Sequence, residues 1–176
     1  MPSEDEIIDI ADKHDNIISQ ARRSIAISKG LLHRSVNVFL FNRKGELFLQ
    51  QRSAHRPVCP LAWDLSASEH VKSGETYQEA ASRSLAEELG IKSKVTRIRP
   101  AIIEKHVYHG GKTKEYELVE LYKATYDGEF KLDSHEVVQG RFFAISQIKK
   151  MLKENPGQFT PWFLDEWKWM EKNGLV

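Results

Sequence analysis

A chain of 176 residues with 40% apolar and 29% charged side chains can bury a full core as one domain, without a disulfide or metal staple. Its 26 basic and 25 acidic residues leave a net charge of +1, so bulk charge gives no reason to expect nucleic acid. A single cysteine, Cys59, excludes an internal disulfide. No apolar run reaches the ~18 residues of a membrane span, and the acidic start MPSEDEIIDI lacks the basic region of a signal peptide; a cytoplasmic protein with no membrane partner is the expectation.

Residues 6–21 read as two short strands around the turn His14-Asp15-Asn16, an N-terminal hairpin. Residues 22–31 fit neither period. Ser35–Phe41 is rich in β-branched and aromatic residues and reads as a strand, turned by Asn42–Gly45 into a hairpin partner at Glu46–Gln51. Pro57 and Pro60 make 53–62 a loop, and Trp63–Ala67 is a short strand. A helix follows from about Thr76 to Leu89, with Thr76 and Glu79 as a capping box and Gly90 at the left-handed end position. Lys94–His106 and Glu115–Tyr126 are strands joined at Gly110-Gly111, Asp127-Gly128 is a turn, and Arg141–Ala144 is a last strand. Ser146 is expected to cap a helix to about Lys153, and Thr160-Pro161 to open another ending near Asn173-Gly174. This order argues a mixed sheet between helices, an α/β sandwich, and no repeats are visible.

The helix at 76–89 concentrates carboxylates. Ser84 and Glu88 lie one turn apart on one face, and Arg83 and Glu87 on an adjacent one, while Ala81, Leu85 and Leu89 form the buried stripe. Glu87 and Glu88 sit about 100° apart, so both can reach one cation. Magnesium takes one or two carboxylates with phosphate oxygens and water, and Arg83 can hold Glu87 or reach a phosphate. An ordinary solvated helix face is the plainer alternative.

The segment resembles the Nudix box, Gly-x5-Glu-x7-Arg-Glu-U-x-Glu-Glu-x-Gly-U with U apolar. Glu75, Arg83, Leu85, Glu87, Glu88, Gly90 and Ile91 fall in register, over a box at about 69–91. The resemblance implies a Nudix-type α/β/α sandwich over residues 1–176, C-terminal helices at about 146–173, and a magnesium cofactor with manganese as alternative. Two positions depart from the pattern. Glu69 replaces the first Gly, and Ser84 replaces the Glu after Arg83. Ser84 cannot bind metal well or act as a base at neutral pH. Glu69 either supplies a carboxylate itself or marks a weakened site, and it needs a changed loop if that position requires positive φ.

Residues 33–70 are further similar to the type 1 isopentenyl-diphosphate isomerases, a branch of the Nudix fold, and the likeness extends over roughly 5–165. It implies metal ligation by His33 and His70, convergence of Glu115 and Glu117 from one strand face, diphosphate binding by Arg52 and Arg56, and Trp162 of Phe159-Thr160-Pro161-Trp162 facing the substrate. The triplet Ser68-Glu69-His70 places serine where those isomerases carry a catalytic cysteine, and a further metal-binding histidine has no counterpart near residue 26. A serine hydroxyl does not replace a thiol as acid or base.

The expected site is therefore Glu87, Glu88, Arg83, Glu117 and Ser68 for chemistry, Arg52, Arg56 and Trp162 for substrate, and Glu87, Glu88, Glu115, Glu117, His70 and Glu69 for metal. Plainer readings stand beside these: His33 and His70 as structural, Trp162 as terminal-helix core, the two arginines as surface charge, His106 and His109 as loop tip. Glu136 is a further candidate base. The expected activity is hydrolysis of a diphosphate linkage in a nucleoside diphosphate derivative or a similar small molecule, slowed by the incomplete box. The alternatives are an isomerase-like protein and a non-catalytic diphosphate-binding module. Homodimerisation is left open.

Overall fold

The computed structural model describes residues 6–133 and 135–176; the first five residues of the acidic start and Ser134, before the last strand, lie outside the described residues. β1 (Ile7–Ala11) and β2 (Ile17–Arg22) form the expected hairpin. Its turn is built by Asp12, whose carboxylate accepts from the His14 and Asn16 amides at 2.8 and 3.0 Å. The segment that fits no period in the sequence is a short helix, α1 (Arg23–Lys29), stopped by Gly30 at φ 65°.

β3 (His33–Phe41) is the axis of a sheet that has nine strands among the described residues. Its first half pairs antiparallel with β6 (Ala67–His70), with Ser35 opposite His70 and Asn37 opposite Ser68. Along its whole length it pairs parallel with β8 (Thr113–Thr125), with His33 opposite Glu117. Only Leu40 and Phe41 pair with β4 (Leu47–Arg52), which carries β5 (Trp63–Asp64) and β9 (Val137–Phe143) away on its other registers. β7 (Thr96–Tyr108) completes the sheet on β8. β3 and β8 make the one parallel pair between named strands, so the sheet is mixed.

The sheet forks where β3 and β4 part. There the buried Ser66 hydroxyl accepts from the Leu40 amide at 2.8 Å and donates to the Phe48 carbonyl. That side chain replaces ladder bonds at the fork. It also explains why the single strand expected over 63–67 is two strands broken at Leu65-Ser66.

The two faces of β3 meet different layers, as period-2 alternation requires. Val36, Val38 and Leu40 pack on Ala81, Leu85 and Leu89 of α2 (Tyr77–Leu89). Phe39 and Leu121 pack on Ile148 of α3 (Ile145–Glu154) and Phe163 and Trp167 of α4 (Pro161–Lys172). Burying a side chain such as Phe39 fully stabilises by about 1.5–3 kcal/mol. α2 carries the expected capping box, and Thr160 caps α4, accepting from the Phe163 amide. The cap of α3 lies two residues earlier than expected: Ala144 holds the cap position, its amide donating to Gln147 Oε1 at 3.0 Å, and Ser146 lies inside the helix.

Candidate active site in the fork of the sheet

The fork opens into a cavity of about 380 Å³. Strand register decides which side chains enter it. Residues opposite one another in a ladder share a face. His33, Glu117 and Glu104 therefore form one row across β3, β8 and β7, and Glu115 and His106 lie in the next. His70 enters from β6.

His33, His70, Glu115 and Glu117 converge, with one donor atom from each lying within 4.8 Å of the others. His33 Nε2 is 3.9 Å from Glu115 and 3.8 Å from Glu117. His70 Nε2 is 3.7 and 3.5 Å from the same carboxylates. These separations are too long for hydrogen bonds. His33 Nε2, His70 Nε2 and Glu115 Oε2 are buried without hydrogen-bond partners. His33 Nδ1 lies 2.8 Å from the Leu31 carbonyl, which as an acceptor selects the tautomer with its proton on Nδ1 and turns the Nε2 lone pair to the cluster. Burial, then the charge of Arg23, lowers His70 to about 4, so it too is neutral at pH 7. Burial and the neighbouring Glu115 push Glu117 up to about 8, and Glu115 is lowered by its histidine neighbours against its own burial. Two neutral imidazoles with unpartnered Nε2 atoms, the unpartnered Glu115 Oε2 and the neighbouring Glu117 are a donor set for a divalent cation. Imidazole nitrogen favours manganese or zinc over magnesium in such a set.

The α2 carboxylates divide. Glu88 is buried and turned into the cavity, accepting from Gln50 Nε2 at 2.6 Å and the Ser68 amide at 2.9 Å. Burial, then the charge of Glu69, raises its pKa well above the carboxylate range. Glu87 is placed elsewhere: half-exposed, 3.1 Å from Arg83 and 3.8 Å from Lys72, outside the cavity lining. The 100° step that separates neighbours on a helix puts only one of the two inward. Arg83 is a structural clamp, donating to both oxygens of Glu75 at 2.8 and 2.9 Å and to the His70 carbonyl at 2.8 Å. Glu69 sits in β6 opposite Val36, without positive φ, so its Cβ is accommodated by an extended strand. Its carboxylate lines the cavity, 3.5 Å from Arg83. Ser84 is buried and donates to the Ala81 carbonyl.

Arg52, Arg56, Trp162 and Ser68 all line the cavity. Arg52 is fixed by Asp64 at 2.8 Å and lies 5.1 Å over the Trp162 ring. Trp162 Nε1 donates to the same Asp64 at 2.6 Å, so Trp162 belongs to the cavity wall as well as to helix packing. Arg56 is 3.3 Å from Glu136. Sequence reasoning missed Asp64, Asn37, Glu104, Tyr108 and Arg23, and took His106 for a loop tip; β7 runs two residues further than expected and brings His106 and Tyr108 to the wall. Alternation along β7 was the available signal.

The NUDIX domain family model matches residues 31–163. The chain is 31% identical over 159 residues to isopentenyl-diphosphate Delta-isomerase 2 of Photorhabdus laumondii, covering 90% of this chain and 89% of that one. It is 32% identical over 161 residues to an uncharacterized Nudix hydrolase of Streptomyces coelicolor, covering 92% and 86%. Among solved structures, the crystal structure of DR0079 from Deinococcus radiodurans superposes with a TM-score of 0.68 at 24% identity, over 85% of this chain and 90% of that one. The MutT protein from Methanosarcina mazei superposes with 0.66 at 20% identity, over 82% and 96%. The chain belongs to the Nudix family, in a branch whose relatives include both isomerases and hydrolases. Among the described residues, no helix is long and apolar enough to cross a membrane.

Proposed function

We propose that the protein hydrolyses a diphosphate linkage in a nucleoside diphosphate derivative or similar small molecule, with a divalent cation at His33, His70, Glu115 and Glu117. The carrying observation is that four-residue cluster, with its orphaned buried atoms, facing a cavity walled by Arg52 and Arg56. A cation bound there neutralises phosphate charge and makes the phosphorus a better electrophile. Arg52, immobilised by Asp64 and Trp162, and Arg56 orient the diphosphate. Glu88, held by Gln50 and the Ser68 amide, stands on the opposite wall and presents its carboxyl group to the same volume. Glu136 is the proposed base. Among the described cavity carboxylates outside the His/Glu cluster, its side chain has only the Arg56 contact and accepts no hydrogen bond. It takes the proton of the attacking water as the water oxygen bonds phosphorus and the bridging P–O bond breaks.

The likeness to an isomerase over 90% of this chain favours a second reading, isopentenyl-diphosphate isomerisation. Ser68 stands against it. Cys59, whose thiol is pushed up by burial, lies outside the cavity lining and cannot substitute. Incubation with manganese or magnesium and a panel of nucleotides and isoprenoid diphosphates, following phosphate release and allylic isomer, separates the readings. Phosphate release lost at least 100-fold in Glu88→Gln is the expected result. Isomer formation without phosphate release would overturn it.

A further inference from the structure

Behind the cavity lies a chain of buried charges that the proposed hydrolysis does not use. Glu166 of α4 is fully buried. It pairs with both terminal nitrogens of Arg99, one of them at 2.8 Å, and accepts from Asn37 Nδ2 at 2.9 Å. Arg99 in turn donates to Glu104 Oε1 at 3.0 Å and lies 5.5 Å over the Trp169 ring. A buried ionic network of this kind is weak evidence for stability, because apolar residues of the same volume commonly do as well or better. Its consequence is visible at the cavity.

The network fixes two acceptors. One Nδ2 hydrogen is committed to Glu166, which orients the Asn37 amide and leaves its carbonyl oxygen to accept. With Oε1 committed to Arg99, Glu104 has Oε2, which lies 3.8 Å from His106 Nε2. His106 Nε2 and Tyr108 Oη are both buried without hydrogen-bond partners. Trp162 completes this wall, with ring centroids 6.2 Å from His106 and 6.1 Å from Tyr108. Buried polar atoms are satisfied by an occupant that hydrogen-bonds, water or the polar groups of a ligand that displaces it. A hydrocarbon chain would leave them all unpaired. Hydroxyl groups both donate and accept, so they match carbonyl, carboxylate, imidazole and phenol alike.

We propose that Asn37, Glu104, His106 and Tyr108 form the subsite for the part of the substrate beyond the diphosphate, and that this part carries hydroxyl groups, as a pentosyl or hexosyl diphosphate does, and is not a hydrocarbon. This rests on the reading of the cavity as a diphosphate site. Glu166 and Arg99 are positioning residues for the subsite.

The test measures binding in the Glu88→Gln protein by calorimetry with manganese, so that any common loss of diphosphate affinity cancels between ligands. The probes are inorganic pyrophosphate, isopentenyl diphosphate, ADP, 2′,3′-dideoxy-ADP and UDP-glucose. The hydroxylated ligands are expected to bind at least tenfold tighter than isopentenyl diphosphate. ADP and its dideoxy analogue distinguish pentose hydroxyls from base, and UDP-glucose reports a hexose. Tyr108→Phe and His106→Leu break no hydrogen bond within the protein, so both should fold. Each should weaken the preferred ligand three- to tenfold and leave pyrophosphate unchanged. Glu166→Gln in the otherwise unchanged enzyme should raise KM for that ligand with kcat unchanged. Isopentenyl diphosphate binding as tightly as the hydroxylated ligands, or wall variants that weaken every ligand alike, would overturn the subsite. Hydroxyl-selective binding without any turnover would sink the hydrolase reading and leave the subsite standing.

Discussion

Ser84 and Glu69, the two departures from the box pattern, both lie close to Glu88 in the fold. Ser84 lies on the buried face of α2, one turn before Glu88, and its hydroxyl is spent on the Ala81 carbonyl. Glu69 enters the same cavity from β6, and its charge is the largest carboxylate influence on Glu88. A third carboxylate at 84 would be buried beside both. Ser84→Glu alone is therefore expected to destabilise by about 2–4 kcal/mol, read by urea unfolding, since a buried acid next to like charge must either neutralise or repel. Combining it with Glu69→Gly should recover at least half of that loss despite the cost of a strand glycine. Additive losses in the double variant would show that the two positions do not share one role.

Among the elements, α2 depends on how it ends. Gly90 has φ 67°, and a Cβ there would come within 2.7 Å of Lys131 Cβ and 2.9 Å of the Lys131 carbonyl oxygen. The segment it would push carries Asp133, whose amide donates to the Glu88 carbonyl, and then Glu136. Gly90→Ala is expected to cost about 2 kcal/mol in strain and contact and to lower kcat more than it raises KM, because Glu136 moves with the segment. An unchanged kcat in a protein of lowered melting temperature would detach Glu136 from the chemistry.

Gly90 and the capping residues of α2 were legible in the sequence because cap chemistry is local. The cores of β3 and β8, and the shared face of Glu115 and Glu117, were legible from strand composition and alternation, whereas His33 and His70, outside the expected strands, were legible from family likeness alone. The Asn37–Glu166–Arg99–Glu104 network was not. Period-2 reading puts Arg99 and Glu104 on opposite faces, but the register slips between Arg99 and Ile102, around Pro100. One inserted residue flips the parity and brings both inward. Glu166 reads as an ordinary polar position in an amphipathic helix until α4 docks on the sheet. α1 was illegible because seven residues are too few for a helical period to declare itself. The inward turn of Glu88 and the outward turn of Glu87 needed the azimuth of α2, which packing sets.

Across the whole molecule, the Glu166 network ties the C-terminal helix to β3 and β7, so its ionisation is a property of the assembled fold. Burial, then the charge of Glu104, raises Glu166 to about 7 against the opposing pull of Arg99 and Asn37. The folded state keeps that proton to about pH 7, while the unfolded chain releases it near 4.5. Between those values the folded state binds more protons, so this group's contribution is full below pH 4.5 and is lost as pH rises through 7, by on the order of 3 kcal/mol at most. Urea unfolding at pH 5 and pH 8 should show the wild type losing stability over that interval and Glu166→Gln losing less. An equal slope in the variant would assign the dependence to other groups.

The cation cluster is equally global, because His33, His70 and the pair Glu115 and Glu117 come from three strands that meet only when the sheet has formed. A cation that binds there binds the folded state alone, and at 100 times its Kd it should add about 2.7 kcal/mol of stability. For a chain of this length that is a rise of roughly 5–10 °C in melting temperature. Manganese is expected to produce the rise near neutral pH, EDTA to reverse it, and His70→Ala to abolish it. Since His70 protonates only near pH 4, its imidazole stays available as a ligand across the range from 6 to 8. A melting temperature indifferent to manganese, with activity still dependent on a divalent ion, would move the cation from the His/Glu cluster to the Glu88 wall.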